Sequence, residues 1–161
     1  MTKDYLIFIL DRKQYAINLE NVIKVNQIVN ISAIPKGPEY LLGLINVHGQ
    51  ITPVVNLRHL LGLKNRQMKL MDQLIIIKTS QLELAFVVDQ VSDIIPAHDE
   101  NSMPADHLFP EARFFELIIK DQNDFILAIN PEALLTPNEM NKLNKQIKKE
   151  YEKIAKKMAQ N

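Results

Sequence analysis

Residues 14–25 are echoed, without a gap, by residues 83–94. Tyr15, Ala16, Ile17, Leu19, Val22 and Val25 stand against Leu84, Ala85, Phe86, Val88, Val91 and Ile94, and an acid, Glu20 or Asp89, precedes each central Val by two places. A second echo sets Gly49–Asn56 against Asn123–Asn130 at a slightly different offset, turn residue against turn residue. An internal repeat constrains a chain strongly, because both copies must bury their apolar faces in similar units. The repeated segments are short and apolar, with polar or Pro-containing breaks. They predict two similar small β units rather than one sandwich, and such strands suit small closed barrels, which hide their edges.

The rest of the chain extends this reading. Tyr5–Leu10 and Gln14–Ile17 flank Asp11-Arg12-Lys13 as a hairpin that lacks an Asn-Gly turn. Leu19, Val22, Ile23 and Val25 fit either a strand or a helical turn, and that choice stays open. Pro35 and Pro38 bracket Gly37 in a turn. Tyr40–Val47 and Ile51–Val55 form extended runs around His48-Gly49-Gln50, with Pro53 expected at an edge, a strand start or a bulge. Leu57, Leu60 and Leu61 make a short amphipathic helix ending at Gly62. Leu74–Ile77 and the alternating Leu82, Leu84, Phe86 and Val88 open the second half. His98–Glu111 reads as a polar loop with at most one helical turn. Phe114–Ile119 and Phe125–Ile129 pair around residues 120–124, where Asn123 suits a left-handed turn position.

The last segment differs in kind. Thr136-Pro137-Asn138-Glu139 combines a capping box with Pro at the first helical position. Met140, Leu143, Ile147, Tyr151, Ile154 and Met158 then recur at steps of three and four, which predicts a long amphipathic helix. Residues 137–161 hold seven Lys and three acids, while residues 1–136 hold 12 basic and 16 acidic residues. A helix of formal charge +4 therefore follows a body of formal charge −4. Packing on its own acidic body, meeting a partner helix and touching a membrane or nucleic acid are the readings this allows, in falling order.

Composition removes several function classes. Lys+Arg and Asp+Glu are both 19, so no global field draws nucleic acid or an anionic membrane. The chain has no Cys, which excludes disulfides, thiolate catalysis and sulfur-ligated metal. Met1–Tyr5 carries one Lys and the apolar run is broken by Asp11, so it makes a poor signal peptide; a cytoplasmic location is expected, with no direct membrane insertion. Gly37, Gly43, Gly49 and Gly62 never form a phosphate-cradling motif. His98-Asp99-Glu100 with Asp106-His107 is the one cluster resembling a metal site, and a solvated loop accounts for it more simply. The serines lack a nucleophile elbow. No catalysis, cofactor or metal is expected.

The strongest local signal is the run from Gly43 to Leu57, Gly-Leu-Ile-Asn-Val-His-Gly-Gln-Ile-Thr-Pro-Val-Val-Asn-Leu. Gly43 permits close backbone approach, Asn46 can bond backbone near the turn, His48 projects from it, and Gly49 supplies a positive φ. This run resembles the signature of the CheW-like domain family, roughly Gly-x-x-Asn-x-Arg-Gly-x-x-x-Pro-Val-x-Asp-Leu, and the likeness extends from Tyr5 through Leu135. The resemblance implies a mainly β fold of two intertwined five-stranded SH3-like barrels. It divides the chain into a CheW-like domain, 1–136, and a basic amphipathic C-terminal helix, 137–161.

It also implies a non-catalytic adaptor. Such an adaptor joins chemoreceptor signalling tips to the regulatory domain of a CheA-type histidine kinase, at membrane-associated arrays. Self-association or pairing with other CheW-like domains is a further possibility, and nucleic acid is not expected as a partner. The residues that the resemblance places at the partner surface are Lys24, Val25, Asn46, His48, Gly49 and Asn56. Three depart from the family pattern: His48 replaces the usual Arg, Asn56 the usual Asp, and Lys24 a common acid. Arg to His removes a permanent forked donor, and acid to Lys reverses a charge. These departures favour, as the competing reading, a CheW-like module that serves a different signalling partner or assembles with itself.

Overall fold

The computed structural model describes residues 2–108, 110 and 113–160. Its strands are β1 (Lys3–Leu10), β2 (Lys13–Asn18), β3 (Val22–Gln27), β4 (Leu41–Val47), β5 (Gln50–Val55), β6 (Gln73–Lys78), β7 (Glu83–Val88), β8 (Gln90–Ala97), β9 (Ser102–Pro104), β10 (Phe115–Asp121) and β11 (Asp124–Ile129). The helices are α1 (Leu57–Leu60) and α2 (Pro137–Gln160). One sheet runs β8-β1-β2-β11-β10-β9 and the other β3-β6-β7-β5-β4.

The internal echo is a structural repeat. Strands β8-β1-β2-β11-β10 match β3-β6-β7-β5-β4 place for place, each with one parallel pair among antiparallel ones. That pair aligns Ala16 with Ala128 in the first sheet and Ala85 with Val54 in the second. The exchange is reciprocal: β1 and β2 join β8, β10 and β11 from the second half, while β6 and β7 join β3, β4 and β5 from the first. The first sheet carries a sixth strand, the three-residue β9.

Three apolar clusters explain the continuous apolar runs. Leu6, Phe8, Leu10 and Ile17 meet Ile75, Ile77, Leu84 and Phe86 in a central core between the sheets. The intervening residues turn the other way: Tyr5, Ile7 and Ala16 line the first barrel, and Leu74, Ile76 and Ala85 the second. Both faces of β1 and β6 are thus buried, and polar alternation is lost there. Phe8 and Phe86, both fully buried, join the sheets with ring centroids 5.5 Å apart.

The capping box forms as read: Thr136 Oγ1 accepts from the Glu139 amide at 3.1 Å, and Glu139 Oε1 accepts from the Thr136 amide at 2.8 Å. The first turns of α2 belong to the central core through Met140 and Leu143. Farther along, the Tyr151 hydroxyl accepts from the Ile51 amide, and beyond it Ile154 and Met158 are 46% and 73% exposed. The apolar stripe therefore outlasts the body it packs on.

Several local expectations are resolved or corrected. The open choice at 19–25 resolves as both options, a 3-10 turn at Leu19–Asn21 followed by β3. Asp11 and Arg12 both take positive φ, 51° and 66°, in a hairpin turn with no Gly or Asn. The Asp11 amide is held by Asp89 Oδ2 at 3.0 Å, a tertiary contact that supports the costly conformation. Pro53 lies in β5, between β4 and β7, yet β7 pairs only with Val54 and Val55, so the flank of Pro53 is locally an edge. In the β10–β11 turn the left-handed residue is Gln122, not Asn123, because a turn of this hand needs positive φ at its first central position. The expected loop at 98–111 holds β9, whose Met103 pairs with Ile118, and a 3-10 turn at Ala105–His107; Phe109 and Glu111 lie outside the described residues.

Candidate protein-interaction site

Gly43, deep in the signature run, sets where β4 lies. Its φ is +154°, and a Cβ there would overlap the Ser32 carbonyl. The 28–40 segment crosses β4 at this point, and Ser32 and Leu44 exchange backbone hydrogen bonds of 2.9 Å in both directions. β4 then runs out to a two-residue turn, His48-Gly49, closed by the Val47–Gln50 pair. Both turn residues have positive φ, 50° and 86°, the hand that matches strand twist in a tight hairpin. Asn46 Oδ1 accepts from the Gly49 amide at 2.7 Å and fixes the turn. Asn46, His48 and Gly49 are all exposed.

β3 and β4 are the outermost strands of the second sheet, and its curvature brings them together. Lys24 Nζ lies 3.1 Å from His48 Nε2. An ammonium can only donate, so this contact requires an unprotonated Nε2 on the imidazole. A cavity of about 240 Å³ opens between the two strands, lined by Lys24, Asn26, Val29, Asn46 and His48 among others. Two of the positions that the resemblance singles out as departures, Lys24 and His48, are therefore neighbours in the fold.

The remaining sequence-derived residues lie elsewhere or face inward. Val25, half-buried on β3, packs against the central core. Asn56 follows the far end of β5 from the turn and caps α1, its Oδ1 accepting from the His59 amide at 3.3 Å. Asp or Asn serves equally as such a cap, which accounts for the third departure without any partner. Four of the six residues, Lys24, Asn46, His48 and Gly49, thus form one exposed end of the second barrel.

Sequence reasoning missed a charged cluster that ties the sheets together. Asp89, between β7 and β8, accepts from Arg58 Nη2 at 2.6 Å, from Arg66 Nη2 and from the Asp11 amide. Arg58 also donates to Asp11 at 2.7 Å, and Arg66 grips Asp72 with both Nη atoms, at 2.9 and 2.7 Å. Burial by itself would raise the Asp89 and Asp72 carboxyls. The guanidinium and amide donors outweigh it and hold both below the usual carboxylate range. The only sequence signal was the acid at position 89 in the echo, and its partners come from three separate segments.

Among the described residues no cluster of three or more His, Asp or Glu could hold a metal. No helix of the described residues is long and apolar enough to cross a membrane.

Comparison with known proteins agrees with the geometry. The family model for the CheW-like domain matches residues 4–139. "Chemotaxis protein CheW" of Bacillus subtilis (strain 168) is 28% identical over 132 residues, 81% of this chain and 85% of that protein. The protein of the same name from Thermotoga maritima is 33% identical over 92 residues, 57% of this chain and 60% of that one. Among solved structures, the scaffolding protein TtCheW from Thermoanaerobacter tengcongensis superposes with a TM-score of 0.78 at 28% identity, covering 86% of this chain and 95% of that one.

Proposed function

The chain belongs to the CheW-like domain family, and from that premise we propose that it is a non-catalytic scaffold of a chemosensory array. It couples chemoreceptor signalling tips to the regulatory domain of a CheA-type histidine kinase, on the cytoplasmic side of the membrane. Residues 1–136 act as the CheW-like unit, and 137–161 as a helix added to it. The observation that carries this reading is the signature run, folded into an exposed, stiffened turn at the open end of the second barrel. A turn held by Asn46 and a close glycine crossing offers a pre-ordered surface, which lowers the entropy cost of association. Lys24 and His48 set the charge of that surface, and they direct it toward a partner carrying an acid at the matching place.

Purified protein should bind a CheA-like regulatory domain and a receptor tip from the same cell, each measured by titration calorimetry. Lys24→Glu should weaken kinase-domain binding through like-charge repulsion, and added salt should shrink the difference. Binding to neither component at tens of micromolar would overturn the proposal. Equal affinities of the two proteins at low salt would remove Lys24 from the surface. The Lys24–His48 exchange also favours a second reading, a CheW-like module serving a different signalling partner. Co-purification of a stoichiometric partner other than the kinase would select it.

A further inference from the structure

The two barrels end differently. By the internal echo, Lys24 of β3 stands where Asp93 stands in β8, and His48 of the β4–β5 turn stands where Gln122 stands in the β10–β11 turn. His48 and Gln122 share a backbone conformation, with φ of 50° and 54°. In the first barrel Asp93 Oδ1 accepts from the neighbouring Ile94 amide at 2.8 Å. In the second, Lys24 Nζ meets His48 Nε2, and both side chains line the cavity between β3 and β4. Only the second barrel sets an ammonium against an imidazole at this end.

The cavity beside this pair suits an anion. Lys24 and His48 are the only titratable residues that line it, and no acid does. Ile45 and Leu74, both buried, give it an apolar lining, which excludes some water and strengthens any charge contact made inside. Asn46, whose Oδ1 is taken by the Gly49 amide, keeps its side-chain nitrogen as a neutral donor.

In the contact as it stands the imidazole accepts, so Nε2 carries no proton and the pair holds one positive charge. An entering carboxylate draws the ammonium to itself, and a ring that takes up a proton turns from acceptor to donor. Two donors 3.1 Å apart then serve the two oxygens of one carboxylate through charge-assisted bonds. We propose that this cavity is a proton-coupled carboxylate site: it takes an Asp or Glu side chain of the partner, and His48 gains a proton as that acid enters. For the identity of the partner, the inference rests on the scaffold reading above. The proton comes from solvent, so affinity rises as pH falls through the range in which imidazoles titrate. One linked proton sets a ceiling of about tenfold per pH unit.

The site is tested first on the full chain alone. Acetate, with chloride at equal ionic strength as the reference, is titrated while the Gly49 and Asn46 amide resonances are followed. Binding should be about three-fold tighter or more at about pH 6 than at about pH 8. His48→Gln should bind more weakly and equally at both, and Gln122 shows that the fold accommodates Gln in this turn conformation. Lys24→Met should weaken binding at both. Resonances that respond no more to acetate than to chloride would overturn the proposal, as would the same pH dependence in His48→Gln. Calorimetry with the CheA-like regulatory domain and with the receptor tip, in two buffers of different ionisation enthalpy, then reads the coupling directly. With one of them the wild type should take up a proton on binding, and His48→Gln should not. Binding of both without uptake would overturn the inference and leave the scaffold reading intact. Binding of neither, with acetate behaving as described, would overturn that reading and support the site.

Discussion

Asp89→Asn tests whether the charged cluster holds the two sheets in place. The substitution keeps the shape and one acceptor oxygen but removes the negative charge that faces two guanidinium groups. Arg58, with a side chain only 10% exposed, keeps Asp11, and Arg66 keeps Asp72, so neither cation is left wholly unpaired. Breaking a fully buried pair costs about 3–5 kcal/mol, but Asp89 is 27% exposed and partly screened. A loss of about 2 kcal/mol is expected, read as a lower urea midpoint at unchanged slope. At this chain length that corresponds to a melting temperature lower by about 4–8 °C.

The pH dependence carries the sharper test. The folded carboxyl of Asp89 titrates below the ordinary value, so its stabilisation is fully present above that ordinary value, about 3.9, and disappears as pH falls through the folded one. The gap between wild type and variant should hold from neutral pH to about 5 and close in more acid solution. A gap below about 0.5 kcal/mol at neutral pH, or one of constant size into the acid range, would refute the electrostatic account.

Gly43→Ala should destabilise by roughly 3 kcal/mol or prevent folding, because the new methyl meets backbone rather than a movable side chain; a melting curve within 2 °C or so of wild type would contradict the crossing at Ser32. Truncation after Lys149 should leave the melting temperature nearly unchanged, whereas truncation before Met140 should expose central core and lower it sharply; equal losses would show that the helix packs as one unit. Glu116, whose Oε1 is buried without a hydrogen-bond partner, has its carboxyl raised by burial despite Lys3 and Tyr5, and burial together with the Glu116 charge pushes the Tyr5 hydroxyl up to about 12. Its ionisation opposes folding as pH rises through the carboxylate range, so Glu116→Gln should gain stability at neutral pH and little in acid, by urea titration.

The sequence by itself determined the number and kind of units. Strand segments, the helix cap at Thr136 and the two-fold echo all rest on local chemistry: alternation, turn residues, and a capping box whose partners are three residues apart. The signature run was legible for the same reason, since the turn at His48-Gly49 and its Asn46 brace are contained within four residues. Which half donates which strands was not readable from the residues. The exchange of the β1–β2 and β6–β7 hairpins depends on pairings separated by dozens of residues, and apolar strands of similar composition do not encode their neighbours.

The site divides along the same line. Lys24 and His48 each stood out singly, but their contact exists only because the second sheet curls until its outer strands meet. The resemblance put Asn56 at the partner surface, and the fold makes it the cap of α1. Asp11, Arg58, Arg66, Asp72 and Asp89 carry no common motif. They converge only where the β1–β2 turn, α1, the following loop and the β7–β8 junction meet, and there a guanidinium excluded from water needs a carboxylate within hydrogen-bond reach.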